Sequence, residues 1–174
     1  MMETIDRAPT SWSGRLCPVE EWPFEDFYET EYAAVLALAR VLTGDRARAE
    51  DVTHDAFVTT FERWENLDNP AGWVRRVVAN NARSAWRRRR TEKKALARLE
   101  SDVRVGNDLP DDTEEFWGEV RSLPARQAQA IALFYLEDLA VKEIAEVIGC
   151  AESTARVHLM RGRRNLAKKM EGIA

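Results

Sequence analysis

Apolar positions recur at helical spacing through most of this chain, and no stretch alternates in the two-residue rhythm of a strand. The first amphipathic run, from about Phe24 to Leu42, puts Phe24, Phe27, Val35, Leu38 and Leu42 on one face. Thr43-Gly44-Asp45 then supplies a glycine stop and an acidic N-cap. The second run, Arg46 to Trp64, turns Val52, Ala56, Phe57, Phe61 and Trp64 inward. Glu65 to Asn69 is a loop, and Pro70 suits the first turn of a third helix. That helix carries Trp73, Val77, Val78, Ala82, Ala85 and Trp86, then Arg87 to Arg90, and extends toward Leu99. Residues 1–23, with Pro9, Ser11, Ser13, Gly14 and Pro18, show no periodicity and form an N-terminal extension. Gly106, Asn107 and Pro110 mark residues 101–112 as a linker. The pattern predicts an all-α protein of two small helical domains, 24–100 and 113–170, joined by that acidic, flexible linker.

The second domain has the grammar of a helix-turn-helix. Val141, Ile144, Ala145 and Ile148 keep helical spacing, and Gly149 is placed to take the positive φ that stops the helix. The next helix buries Ala155, Leu159 and Leu166. It leaves Ser153, Thr154, Arg156, Val157, His158, Met160, Arg161 and Arg164 to meet a DNA groove.

Net charge is −4, which by itself argues against a nucleic-acid binder. The distribution reverses the argument. Residues 75–98 are densely basic with Glu92 as the sole acid. Residues 156–169 carry Arg156, Arg161, Arg163, Arg164, Lys168 and Lys169 and no acid. Residues 1–31 and 102–115 are acidic blocks. Separate blocks of sign suggest separate faces for separate partners, although a single charge run is ordinarily a solvated helix face. Cys17 and Cys150 are too few and too isolated for a disulfide framework, and His54 and His158 give no zinc spacing. No apolar run approaches the ~18 residues of a membrane span, and no signal peptide is evident. The expectation is a cytoplasmic protein without cofactor, metal or membrane insertion.

Two segments carry a resemblance. Gly44-Asp-Arg-Ala-Arg-Ala-Glu-Asp-Val-Thr-His-Asp-Ala-Phe57 is followed by Asn69-Pro-Ala-Gly-Trp-Val-Arg-Arg-Val-Val-Ala-Asn80. Together they resemble region 2 of the sigma-70 family of RNA polymerase sigma factors, in its extracytoplasmic-function group. His54 and Asp55 stand where that family usually has Gln and Glu. Leu123-Pro, Tyr135, Lys142-Glu-Ile-Ala and Arg161-Gly-Arg-Arg resemble region 4. Ala151 stands where a serine is common before the recognition helix, and Gln127-Ala-Gln129 replaces a more usual basic or apolar pattern.

The resemblance implies a promoter-specificity subunit, not an enzyme. Its implied partners are core RNA polymerase, through the clamp helices of the largest subunit and the flap, then promoter DNA, with an anti-sigma factor as a further partner class. Glu50, Asp51 and Asp55 beside Val52 and Phe57 make an acidic rim around an apolar centre, which suits a protein partner. By resemblance that partner is the polymerase; an ordinary amphipathic core helix would show the same residues. Asn66 and Asn69, with Asn80, Asn81, Arg83, Ser84, Trp86 and Arg87, would capture the melted −10 element. Asparagine can pair with adenine, arginine with phosphate, and tryptophan can stack on a base. Trp73 is expected in the core, with Trp86 open to either role. The recognition helix, 152–164, would enter the −35 major groove. The acidic linker would lie in the polymerase RNA path, or serve only as a tether. The competing reading is a stand-alone helix-turn-helix regulator. A nucleic-acid enzyme finds no carboxylate cluster, metal motif or nucleophile–base pair.

Overall fold

The computed structural model describes residues 23–82 and 111–171, all helix and turn. Expectations for the N-terminal extension, the basic end of the third helix (Arg83, Ser84, Trp86 and Arg87 included) and linker residues 101–110 lie outside the described residues.

The first group contains α1 (Phe24–Thr43), α2 (Arg46–Phe61) and α3 (residues 70–82), with a 3₁₀ turn at Trp64–Asn66. α1 stops where Gly44 takes φ 66°, its N–H bonding the carbonyl of Arg40 at 2.8 Å. Asp45 then caps α2 by accepting from the Arg48 N–H at 2.8 Å. Val35, Leu38 and Ala39 of α1 pack with Ala49, Val52, Ala56 and Phe57 of α2 and with Val74 and Val78 of α3. At one end the rings of Phe24, Phe27, Phe57 and Trp64 meet edge-on or tilted, with Phe24 and Trp64 centroids 5.3 Å apart.

The second group contains α4 (Asp111–Ser122), α5 (Ala125–Tyr135), α6 (Val141–Ile148) and α7 (Glu152–Glu171). α5 is the central helix, with Ala130, Ile131, Ala132 and Leu133 wholly buried. α7 crosses it at Gly162, where a Cβ would lie 3.0 Å from Ile131 Cγ1 and 3.3 Å from the Gln127 carbonyl. The bare backbone is what lets the two helices approach.

Candidate nucleic-acid and polymerase interfaces

The helix-turn-helix is held from behind. Gly149 adopts φ 69°, and the N–H groups of Gly149 and Cys150 both bond the Ala145 carbonyl. Glu143 reaches back to the Ala140 N–H at 2.7 Å, fixing the start of α6. Arg126 on α5 donates to the Ile148 carbonyl, tying the turn to the central helix. Cys150 is partly buried against this core.

α7 divides by face. Ala155, Leu159, Gly162 and Leu166 are buried. Ser153, Thr154, Arg156, Val157, Met160, Arg161 and Arg164 are exposed, with His158 at the border. Polar and basic side chains thus line one outward surface around exposed Val157 and Met160. Burial, then the positive charges of Arg126 and Arg161, hold the His158 imidazole below its ordinary pKa.

α2 presents different chemistry, and here two expectations need correction. Val52 and Phe57, expected in the polymerase contact, are buried against α1, Phe57 being only 2% exposed. Phe61, expected inward, is 59% exposed. The reason is that the buried face of α2 runs through Ala49, Val52, Thr53, Ala56, Phe57 and Thr60. Thr60 tolerates this position by donating its hydroxyl to the Ala56 carbonyl at 2.7 Å. Val58 and Phe61 consequently face outward. Asp51, Asp55, Val58 and Glu62 fall at helical spacing on one exposed stripe. Glu50 is exposed beside it, paired with Arg46 at 3.0 Å. Val58 and Glu62 are the members that sequence reasoning missed.

The described part of the third site is smaller. Asn80 is exposed, Asn81 half-buried, and Asn66 exposed in the 3₁₀ turn. Asn69 accepts from the Gly72 N–H at 2.9 Å, so its amide oxygen caps α3. Trp73 is only partly buried, with the Arg63 guanidinium 5.2 Å from its ring centroid.

Among the described residues no cluster of metal-ligating side chains occurs, and no helix is long and apolar enough to cross a membrane.

The comparisons agree with this division. Residues 27–92 match the Sigma-70 region 2 family, and residues 113–166 match Sigma-70, region 4. The chain is 26% identical over 151 residues to the RNA polymerase sigma-E factor of Streptomyces coelicolor, covering 84% of this chain and 85% of that relative. It is 29% identical over 149 residues to the ECF RNA polymerase sigma factor SigE of Mycolicibacterium smegmatis, covering 76% and 55%. The fold is similar to that of the sigma factor RpoE in its complex with the anti-sigma factor NepR from Bartonella quintana. That likeness has TM-score 0.68 and 21% identity, over 85% of this chain and 96% of the other. The two matched regions, in the order and with the surfaces described, place the chain in the sigma-70 family of RNA polymerase sigma factors, in its extracytoplasmic-function group.

Proposed function

We propose that this chain binds core RNA polymerase through the α2 stripe and directs initiation at promoters read by its two helical units. The observation that carries the proposal is the exposed row Asp51, Asp55, Val58 and Glu62 with Phe61 at its edge. An apolar centre with an acidic rim suits a desolvated protein contact ringed by complementary charge. A nucleic-acid backbone would be repelled by it. A stand-alone regulator has no need of such a surface, so the row favours the polymerase subunit. The clamp helices of the largest subunit are its proposed partner, with the flap as the partner of the second unit.

Residues 24–100 form the unit that captures the melted −10 element; of its proposed contact residues, Asn80 and Asn66 are exposed and free of the core. Residues 113–170 form the unit that reads the −35 duplex through the outward face of α7. Residues 101–110 connect them, since α4 already begins at Asp111, two residues inside the expected linker. An anti-sigma factor is a further proposed partner, supported by the complex in which the structurally similar RpoE was solved.

The test is a pull-down of purified core polymerase by the full chain. Asp51→Arg combined with Asp55→Arg reverses two exposed charges and should abolish retention while leaving the far-UV spectrum unchanged. Retention equal to wild type by the folded double variant would remove the basis for this docking surface.

A further inference from the structure

Two apolar side chains stand at the centre of the basic face of α7. Val157 is 37% exposed and Met160 60% exposed. The rotation of α7 that turns them outward is fixed from three directions. Gly162 seats the helix on α5, where a Cβ would lie 3.0 Å from Ile131 Cγ1. On one side of that contact Asn165 Nδ2 donates to Gln127 Oε1 at 2.9 Å. On the other the Arg163 guanidinium lies over the Phe134 ring, 4.4 Å from its centroid. At about 100° per residue, Ser153, Val157, Met160 and Arg164 then form the row opposite the buried Ala155, Leu159, Gly162 and Leu166. Arg156 and Arg161 flank the row on either side.

A row of this composition limits what it can face. A solitary exposed apolar residue is ordinary. Two of them in the middle of a basic face are different, because a major groove is lined almost wholly by polar edges. Setting Val157 or Met160 against a phosphate, or against a base amine or carbonyl, would strip water from that group and return no hydrogen bond. The apolar group that a base pair presents there is the 5-methyl of thymine. Three residues of helix rise by about 4.5 Å and base pairs stack about 3.4 Å apart, so the two side chains cover neighbouring base pairs. Met160, unbranched and flexible, reaches further than Val157 and adjusts to the methyl it meets. Arg156, Arg161 and Arg164 supply the charge that draws the helix to the duplex.

We propose that Val157 and Met160 are specificity-determining residues that each pack on a thymine methyl, so that the −35 element recognised by this chain carries A·T pairs at two neighbouring positions. These contacts rest on α7 being the −35 helix, as proposed above, and name the bases that helix would prefer. A protein surface covering the same two side chains is the competing occupant, and the arginines around them favour the duplex.

The experiment uses holoenzyme, formed from the full chain and core polymerase, and a promoter fragment recovered by run-off transcription. Each thymine of the −35 element, on either strand, is replaced singly by deoxyuridine, which lacks only the methyl. At fixed salt, two neighbouring substitutions should each weaken binding about three- to five-fold, which is what one buried methyl is worth. Deoxyuridine in the spacer should have no effect. Val157→Ala should abolish the difference between thymine and deoxyuridine at one of the two positions, and Met160→Ala at the other. Met160→Leu should retain that difference, and Met160→Gln, similar in length but polar, should not. The far-UV spectrum and retention by core polymerase are read alongside and should match wild type. Should an alanine variant fail to fold, the deoxyuridine series on wild type still decides. A −35 element without A·T pairs at neighbouring positions, a wild type indifferent to deoxyuridine, or variants that lose affinity equally for thymine and deoxyuridine would overturn the methyl contacts while leaving α7 as the −35 helix. Loss of core retention by folded Met160→Ala would assign the pair to a polymerase surface and overturn them too. Binding unchanged when the whole −35 element is replaced would remove the −35 reading itself, and the methyl contacts with it.

Discussion

Arg156 on the outward face of α7 donates to Glu152 Oε1 at 2.7 Å, one helical turn earlier. Both side chains are well exposed, so the pair contributes little to stability and can be exchanged for a DNA contact. Arg156 lies early on the recognition helix, where side chains meet base edges. Arg156→Ala should therefore relax preference at one −35 position by about 1–3 kcal/mol. Arg161, more than a turn later, should meet phosphate. Arg161→Ala should weaken all sequences alike and reduce the salt slope by about one unit. Holoenzyme binding across a −35 mutant panel at several salt concentrations separates the two. Equal loss at every site for Arg156→Ala, or a changed base preference for Arg161→Ala, would contradict the register.

The apolar members of the α2 stripe give a second prediction. Phe61 is 59% exposed in the free chain and touches the fold mainly through an edge-on contact with the Phe24 ring at 4.9 Å, so Phe61→Ser should lower stability by no more than about 1 kcal/mol. Buried at a polymerase contact, the same ring should be worth about 2–4 kcal/mol of binding. Titration calorimetry with core polymerase measures one quantity and urea unfolding the other. A large loss of stability would mean that the ring supports the fold instead.

Gly162 should be intolerant of bulk. A Cβ there already meets Ile131 and the Gln127 carbonyl within 3.3 Å. Gly162→Leu should cost about 1–3 kcal/mol by prising α7 from α5. Urea unfolding checks this, and an unchanged midpoint would show that α7 can shift without penalty.

His158 supplies the pH dependence. Its folded pKa is lowered, by burial first and then by Arg126 and Arg161, so the fold prefers the neutral ring. The stability tied to this preference is fully present above the unfolded value of 6.5 and is lost as pH falls through the folded value. Arg161→Ala should raise the His158 pKa toward 6.5, as followed by NMR titration of the ring protons. An unchanged value would mean that the Arg161 charge does not reach the imidazole.

The helix-turn-helix was legible because each feature is local: Gly149 stops α6, and Ala155, Leu159 and Leu166 repeat at core spacing. The Gly44–Asp45 junction was legible for the same reason. The exposed side of α2 was misjudged because spacing alone let any apolar residue count as inward. Thr53 and Thr60 occupy buried positions and rotate Phe61 to the surface. Asn69 directly precedes Pro70 at the start of α3, an N-cap signal that the expectation of a base contact overlooked, and its side chain forms that cap. The buried Arg75–Glu137 ion pair joins residues 62 apart in sequence. Charged residues are ordinarily exposed, so nothing local marks either as buried.

The most direct measurement of the central claim is run-off transcription from a genomic library with purified core polymerase. The chain should confer discrete start sites sharing upstream −35 and −10 elements, and core polymerase alone should not produce them. Asp51→Arg with Asp55→Arg should remove those transcripts. Tight, specific binding of the chain alone to duplex DNA, with no new transcripts when core polymerase is added, would contradict the account and favour a stand-alone regulator.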